Sequence, residues 1–522
     1  MLDTAHIYIP DIFTRHGSDR ATQEAVVCGE VRRTWRDFNG NMNRVANRLL
    51  AMEVGKGDKV GVLMGNSVDI LEVMFGVVKS GACVVPISGL LTGEQMAHLL
   101  ADSGACVVIA SPEFIERLEP HRGTLTQVVS TGWIAVNGDS PSWLGYTDWL
   151  GSSPSTTPAV VYDPDQDFNI IYSSGTTGLP KGIVQAHRAR SHWAVSNAIE
   201  MGFRDHSRAL TTTSLYSNGT WLMMLPVLFA GGTCVVMPTF NPTAFLATLA
   251  SERITHTFMV PAQFIAVQEC VETPAGATDH LEVMLCAGSP LRRETKRKAI
   301  ERFGPVLYEL YGFSEGFATM LKPGSPESKF HTVGTPVLGF DVRIIDDEGQ
   351  VLGAGEVGEI AGYGAGMLSR YHDRPEATQA MVWLDDRGRT FVRSGDIGYL
   401  DEDGFLILVD RKKDMIISGG FNVFPADLEA VIGTHPAVLD CTVIGIAHPK
   451  WGETPLALVI PRSDAQVSTD ELKQWCNERL AKHQRLADLQ WRDDFPRNAL
   501  GKVLKRELRQ AFESSGHAES AN

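Results

Sequence analysis

Between residues 20 and 160 the chain alternates short β-branched runs with stretches whose apolar residues recur every three or four positions. "DKVGVLMGN" (58–66) reads as a strand and "SVDILEVMFGVVKSG" (67–81) as a helix. "ACVVPIS" (82–88), "TGEQMAHLLADSG" (92–104) and "ACVVIAS" (105–111) continue as strand, helix and strand. A period of two marks a strand, and a period near 3.6 marks one face of a helix. Strands alternating with helices of this length predict parallel sheet with crossover helices. The rhythm returns at "GGTCVVMP" (231–238), "NPTAFLATLASERI" (241–254) and "THTFMVPA" (255–262). The run 221–237 is uncharged, but Pro226, Gly231 and Gly232 interrupt it. It predicts a buried helix followed by a strand, not a membrane span.

From about Gly334 the pattern changes to glycine-punctuated strands, "FDVRIIDDEGQVL", "GEVGEIAGYG" and "RTFVRSGDIGYLDEDGFLILVD". They predict an antiparallel or barrel-like layer. The charged break "VDRKKD" follows, then a short strand pair, helices at "ADLEAVIGTH" and "TDELKQWCNERLAKH", and strands at "LDCTVIGIA" and "PLALVIP". That is a small α+β unit of ordinary domain size. The expected division is 1–410 and 411–522.

Charge supports the division. The 522 residues carry 47 basic and 62 acidic side chains, a net charge of −15. From Arg411 onward 15 basic residues balance 15 acidic ones, so the whole excess lies in 1–410. Two domains with different surfaces fit this asymmetry, and a nucleic-acid-binding surface does not. The eight cysteines form no CxxC pair, and Cys83, Cys106 and Cys234 sit in apolar runs. They read as small buried hydrophobes in a reducing compartment. The N-terminal stretch lacks a basic region followed by an apolar one, and the chain does not end in SKL, so the cytoplasm is expected.

One loop carries chemistry on its face. "YSSGTTGLPKG" (172–182) packs Gly175, Gly178 and Gly182 with four hydroxyl side chains and Lys181. Glycines let backbone N–H groups converge on an anion, and lysine adds a charge for phosphate. The Walker pattern GxxxxGK[ST] fails: from Gly175, the second glycine falls on Pro180, and Gly182 stands where Ser or Thr is required. A flexible linker is the plain alternative. It accounts poorly for a lysine straight after a proline between two apolar strands. Gly353-x-Gly355-x-x-Gly358 matches the dinucleotide pattern but leads into a strand, with no helix N-terminus for a pyrophosphate.

Further pieces follow in order: "CAGSPL" (286–291), "YELYGFSEG" (308–316), "RSGDIGYLDEDGF" with Asp396, and "PRNALGKVLKREL" with Lys502. Each is ordinary alone, since aspartates form turns and lysines are solvated. Together, from about residue 20 to Lys505, they resemble the adenylate-forming superfamily of acyl-CoA synthetases, peptide-synthetase adenylation domains and insect luciferases. The resemblance implies an α/β fold: a large N-terminal domain of two sheet-and-helix subdomains plus a β-barrel, and a small mobile α+β C-terminal domain with the catalytic lysine. It implies that a carboxylate attacks the α-phosphate of ATP, giving acyl-AMP and pyrophosphate, and that the thiol of coenzyme A then takes the acyl group. Two anions must meet in the first step, so cationic groups and Mg²⁺ are required.

By the same resemblance, Ser173, Ser174, Gly175, Thr176, Thr177, Gly178 and Lys181 wrap the β- and γ-phosphates. Ser314 keeps a hydroxyl for phosphate where threonine is usual, and Glu315 holds Mg²⁺. Tyr311 stacks on adenine, with Gly288 and Ser289 along its edge. Glu309 stands where an amide is common and would accept from the adenine amino group. Asp396 takes the ribose hydroxyls, assisted by Arg411. Lys502 bridges the substrate carboxylate and the phosphate, an interaction that grows in the transition state. Lys413 is the hinge, and Ser418, Gly419 and Gly420 line the route of the coenzyme A thiol.

Ser217 falls where peptide synthetases place an aspartate for the amino acid's ammonium, so amino acids are disfavoured. Many acyl-CoA synthetases have histidine there, so Ser217 departs from both groups. The acyl pocket is expected from segments 216–221, 260–264, 286–288 and 311–320, with Tyr216, Ser217, Asn218, Val260, Phe264 and Phe313. These segments hold no lysine or arginine, so dicarboxylic acids are disfavoured. Asn218 and Gln263 are the polar candidates, and core packing is the alternative for each side chain. The expected partner is a small carboxylic acid, medium-chain, aromatic or otherwise bulky and apolar. Loading of a carrier protein, a long-chain fatty acid–CoA ligase and a silent nucleotide-binding relative are the competing readings. Lys502, Glu315, Asp396 and Lys181 together argue against the last. The physiological acid and the oligomeric state, a homodimer included, stay open.

Overall fold

Three parallel strands, Lys59–Leu63, Cys83–Pro86 and Val107–Ala110, form the centre of an eight-stranded sheet in the computed structural model of the chain. Val60 pairs with both Val84 and Val107. The three strands are almost wholly buried, as strands covered by helices on both faces must be. Helices Val68–Lys79 and Gly93–Ser103 make the crossovers. Ser67 caps the first through the Ile70 amide, and Thr92 with Gln95 forms a capping box on the second. Gly104, at φ +68°, ends it. The structure describes residues 6–138, 140–173, 180–418, 421–462, 465–497 and 501–514.

The edge of this sheet fixes the glycine-rich loop. Strand Asp167–Ser173 runs parallel to Cys83–Pro86, then the chain returns antiparallel as Lys181–Ala186. Ser173 pairs with Lys181, so the loop's two ends leave the ladder side by side. Strand Arg370–Tyr371 covers the far side, with Tyr371 opposite Ile183.

A nine-stranded sheet completes the first unit, which comprises Met1–Phe330, Gly334–Asp341 and Tyr363–Val392. Strands Arg208–Thr211, Thr233–Val236, His256–Met259, Val283–Cys286 and Leu307–Gly312 are parallel in it. Ala318–Leu321 returns antiparallel, with Tyr311 opposite Thr319. The apolar run 221–237 is helix Asn218–Ala230 followed by strand Thr233–Val236, as its glycines and proline predict. Among the described residues no helix is long and apolar enough to cross a membrane. Phe264, a candidate pocket residue, is 1% exposed and packs in the core cluster with Leu210, Leu249, Met259 and Met284.

The second unit comprises His331–Val333, Val342–Gly362 and Arg393–Asn522. The expected boundary at 410 falls inside it. Strand Thr390–Leu400 and strand Leu406–Arg411 form an antiparallel hairpin with Asp396 opposite Arg411, and that ladder joins residues before 410 to those after. Beyond it, the paired strands Val438–His448 and Gly452–Pro461 lead a five-stranded sheet. Helices Pro425–Ile432 and Thr469–Asn477 bury Leu428, Ile432, Leu472 and Cys476 in its core. Helix Lys505–Ser514 places Leu508 and Phe512 with Ile444, Leu456 and Phe495.

Truncation of Phe264 tests the core assignment. Phe264→Ala is expected to cost about 3–5 kcal/mol, read as a lower denaturant midpoint for the first unit. A midpoint equal to that of the parent chain would mean that the ring is not packed as shown.

Candidate active site

The turn after strand Leu307–Gly312 closes through Gly316 N, which donates to Phe313 O at 2.9 Å. Gly316 has φ +115°, and a Cβ there would lie 2.2 Å from Gly366 O. Glycine alone fits. The turn carries Ser314 and Glu315. Leu368 N donates to the Glu315 carbonyl at 2.6 Å, and Gln185 Nε2 donates to the Ser314 carbonyl at 3.4 Å.

Three elements converge on this turn. The Tyr371 hydroxyl donates to Glu315 Oε1 at 2.6 Å. Lys181 Nζ stands 4.9 Å from the centre of the Tyr371 ring. Burial, and then the Glu315 carboxylate, pushes the Tyr371 phenol above its ordinary range, so it stays a donor. Tyr371 has no place in the sequence reading. Its signal is spatial: Ser369 N and His372 N donate to Val184 O and Gly182 O at 2.8 Å each, which sets the ring beside the loop's exit strand.

Tyr311 is half-buried, with its ring edge-on to Phe317 at 6.4 Å. Cys286 pairs with Glu309 in parallel strands, so Gly288 and Tyr311 each lie two residues further toward the same end of the sheet. Gly288 has φ +99° and is exposed, while Ser289 is half-buried. Glu309 is 3% exposed and has internal partners. Its Oε1 accepts from Leu291 N at 2.9 Å, and its other oxygen pairs with Lys296 Nζ. Burial raises its carboxyl above the usual range, and Lys296 opposes that shift. The acceptor expected to face adenine is thus engaged in tying helix Arg293–Phe303 to the strand.

On the acid side, Ser217 is the N-cap residue of helix Asn218–Ala230 and is buried. Tyr216, Asn218 and Phe313 are half-buried, and Val260 is buried. Gln263 is fully engaged: Oε1 accepts from the Thr212 hydroxyl and the Val260 amide, and Nε2 donates to Thr212 O. Asn218 remains as the polar candidate, its Oδ1 accepting from Arg190 Nη2 at 2.9 Å.

The second unit holds a separate charged group. Arg411 Nε lies 3.3 Å from Asp396 Oδ1, directly across the hairpin. Burial, then Arg411, lowers the Lys502 ammonium to about 7, with Asp396 and Asp414 opposing and Lys413 assisting. Lys413 is lowered to about 8 by burial and by Arg411. Lys502 follows Gly501, at φ +73°, whose carbonyl accepts from Arg497 Nη1 at 2.9 Å. Leu504 N donates to Pro496 O at 2.8 Å, so the backbone is anchored on both sides of the lysine. Ser418 pairs with Phe421 and Gly452 in the sheet. Ser174, Gly175, Thr176, Thr177, Gly178, Gly419 and Gly420 lie outside the described residues, and only the backbone of Ser173 is described.

Among the described residues no three His, Cys, Asp or Glu side chains gather as a metal cage. Glu315 fits Mg²⁺ in the other common mode, in which one or two carboxylates share the ion with substrate phosphates and water. One of its oxygens is held by Tyr371. All eight cysteines are free thiols.

Comparison with known proteins accords with this geometry. Residues 13–372 match the AMP-binding enzyme family, and residues 427–502 match the AMP-binding enzyme C-terminal domain. The chain is 32% identical over 491 residues to a feruloyl-CoA synthase of Amycolatopsis sp, covering 94% of this chain and 96% of that one. It is 32% identical over 501 residues to the long-chain-fatty-acid–CoA ligase FadD13 of Mycobacterium tuberculosis, covering 93% and 94%. The crystal structure of the anthranilate CoA ligase AuaEII with anthranoyl-AMP superposes with a TM-score of 0.87 at 25% identity, covering 98% and 99%.

The turn itself is open to test. Gly316→Ala is expected to cost about 1–3 kcal/mol through backbone strain and to displace Glu315 from Tyr371. Thermal unfolding unchanged from the parent chain would contradict the close approach to Gly366.

Proposed function

The chain belongs to the AMP-binding enzymes of the adenylate-forming superfamily and is an ATP-dependent acid–CoA ligase, and from that premise we propose its substrate class and the residues that act. The acid is aromatic or otherwise bulky and apolar. Relatives named as a feruloyl-CoA synthase and an anthranilate CoA ligase support this choice, as do the half-buried Tyr216 and Phe313 expected on the acid side. In the first half-reaction a carboxylate oxygen bonds to the α-phosphorus of ATP, and pyrophosphate leaves. In the second, the thiol sulfur of coenzyme A bonds to the acyl carbon, and AMP leaves.

Lys181 and the hydroxyls of its loop hold the β- and γ-phosphates, and Ser314 adds a donor. Glu315, fixed by Tyr371, meets the magnesium carried by the nucleotide, which screens phosphate charge when bound. Tyr311, Gly288 and Ser289 hold adenine, and Asp396 with Arg411 holds the ribose. Lys502 lies between the incoming carboxylate and the α-phosphate. Lys413 is the pivot for the second half-reaction, in which Ser418, Gly419 and Gly420 border the thiol's path. Glu309 acts one step removed, by bracing the strand that carries Tyr311. Eight free thiols suit a reducing compartment, and we place the reaction in the cytoplasm.

The observation that carries this reading is the Lys502 ammonium beside the Asp396–Arg411 pair. An ammonium held near 7 by burial and neighbouring cations is poised to gain charge stabilisation when phosphate and carboxylate arrive.

Two measurements check it. Lys502→Ala is expected to lower acid-dependent pyrophosphate–ATP exchange by more than about a hundredfold, while thioester formation from synthetic acyl-AMP survives. Equal loss of both half-reactions would remove Lys502 from the first. The reaction needs the cationic form, so kcat/KM for exchange falls as pH rises past about 7, the free-enzyme value. In Lys502→Arg, whose charge does not titrate in this range, the residual rate is flat there. A falling limb retained in that variant would assign the titration to another group.

A further inference from the structure

Arg190, on helix His187–Glu200, is 3% exposed, and no carboxylate pairs with it among the described residues. Its Nε donates to Asn169 Oδ1 at 2.7 Å and its Nη2 to Asn218 Oδ1 at 2.9 Å. Its guanidinium carbon lies 4.4 Å from the centre of the Trp221 ring. A guanidinium has five donors and no acceptor. Both asparagines must therefore turn their oxygens toward it. Each NH₂ group then points away from the arginine. The Asn169 Nδ2 is buried without a partner. Asn218 is half-buried, and its Nδ2 has no hydrogen bond among the described residues. Charge behind the Asn218 carbonyl polarises the amide and strengthens that remaining donor.

We propose that Arg190 fixes Asn218 as a one-way hydrogen-bond donor, and that the enzyme thereby prefers carboxylic acids bearing an acceptor oxygen on the acyl group. This rests on the reading of Asn218 as an acyl-pocket residue of an acid–CoA ligase. An ether, hydroxyl or carbonyl oxygen accepts from Nδ2, and a methylene of the same size leaves that donor unpaired when water is excluded. Arg190 is a positioning residue, and Asn218 makes the contact.

Matched pairs of cinnamic acids test this, with methoxy or the near-isosteric ethyl group at the ortho, meta or para position. AMP release with coenzyme A gives kcat/KM for each. The enzyme is expected to favour methoxy about five- to tenfold in at least one pair. Asn218→Asp keeps an oxygen for Arg190 and removes the donor. Asn218→Leu removes both at similar volume. In each variant the ratio of the methoxy to the ethyl kcat/KM is expected to fall to about one, whatever the absolute rates. Arg190→Met leaves Asn218 in place but frees its amide, so the preference shrinks there too. No preference in any pair, or a methoxy preference that persists undiminished in both Asn218 variants, overturns the inference alone. Failure of every acid to release AMP from the unaltered enzyme overturns the acid–CoA ligase reading and the inference with it.

Discussion

A carboxylate and a triphosphate repel each other, and that repulsion sets the terms for this molecule. Two like unit charges 4 Å apart cost about 1 kcal/mol in water and about 4 kcal/mol at the effective dielectric of a protein surface. The price of bringing them together is therefore higher in a cleft than in solution unless cations wait there. The first unit holds Lys181 over the Tyr371 ring, whose hydroxyl donates to Glu315. The second holds Lys502 and Lys413 near Asp396, Arg411 and Asp414. In the second group Asp396 and Asp414 offset the lysines, so the free protein is not left with a bare cluster of cations. Within each unit the charges are arranged before any anion arrives, which lowers the reorganisation that binding demands.

The arrangement follows from the sheets. Parallel strands present their carboxyl ends on one side, and ligands of open α/β sheets bind there. Ser173, Gly288 and Tyr311 all lie at or just beyond such ends, on strands whose registers pair Val84 with Asn169 and Cys286 with Glu309. The loops are held by short-range constraints of the kind that only particular residues satisfy. Gly316 allows Gly366 to approach, Gly501 turns the chain ahead of Lys502, and the Ser173–Lys181 pair closes the base of the phosphate loop. Glu309 and Lys296 show the same economy inside the core. Their ion pair, backed by the Leu291 amide, leaves little uncompensated charge beneath the strand that bears Tyr311.

Local periodicity made the crossover strands and helices legible, because each is short, strongly patterned and capped by its own neighbours in sequence. The run 221–237 was legible for the same reason, since Gly231 and Gly232 divide it where the helix ends, while Pro226 lies inside the helix. Contacts between distant segments were not. Tyr371 reaches Glu315 only because strand Arg370–Tyr371 registers against Ile183, far along the chain. Lys296 neutralises Glu309 across a helix and a strand that nothing in either segment announces. Gln263 looked like a pocket amide, yet its oxygen accepts from Thr212 and Val260 and its nitrogen donates to Thr212 O. Phe264 sits on the inward face of its helix, and an aromatic residue near a pocket motif reads the same whether it lines the pocket or supports it. The Asp396–Arg411 rung of a hairpin joins residues on either side of the charged segment at 410, a contact that neither side announces.

The substrate argument turns on the same distinction between charge and direction. Segments 216–221 and 311–320 lack lysine and arginine, which suits an apolar acid and leaves no partner for a second carboxylate. Arg190 comes from another helix and is hidden behind Trp221 and two asparagines. An unpaired buried charge is expensive, and an apolar residue of similar volume often stabilises such a position. Its retention is intelligible if the charge acts through Asn218. The amide passes on orientation and polarity without placing a cation in the pocket. A donor of that kind rewards an ether or phenolic oxygen on an aromatic ring, and it leaves a free carboxylate without the counterion that burial would demand. Apolar bulk and one directed hydrogen bond are therefore compatible requirements of a single acid.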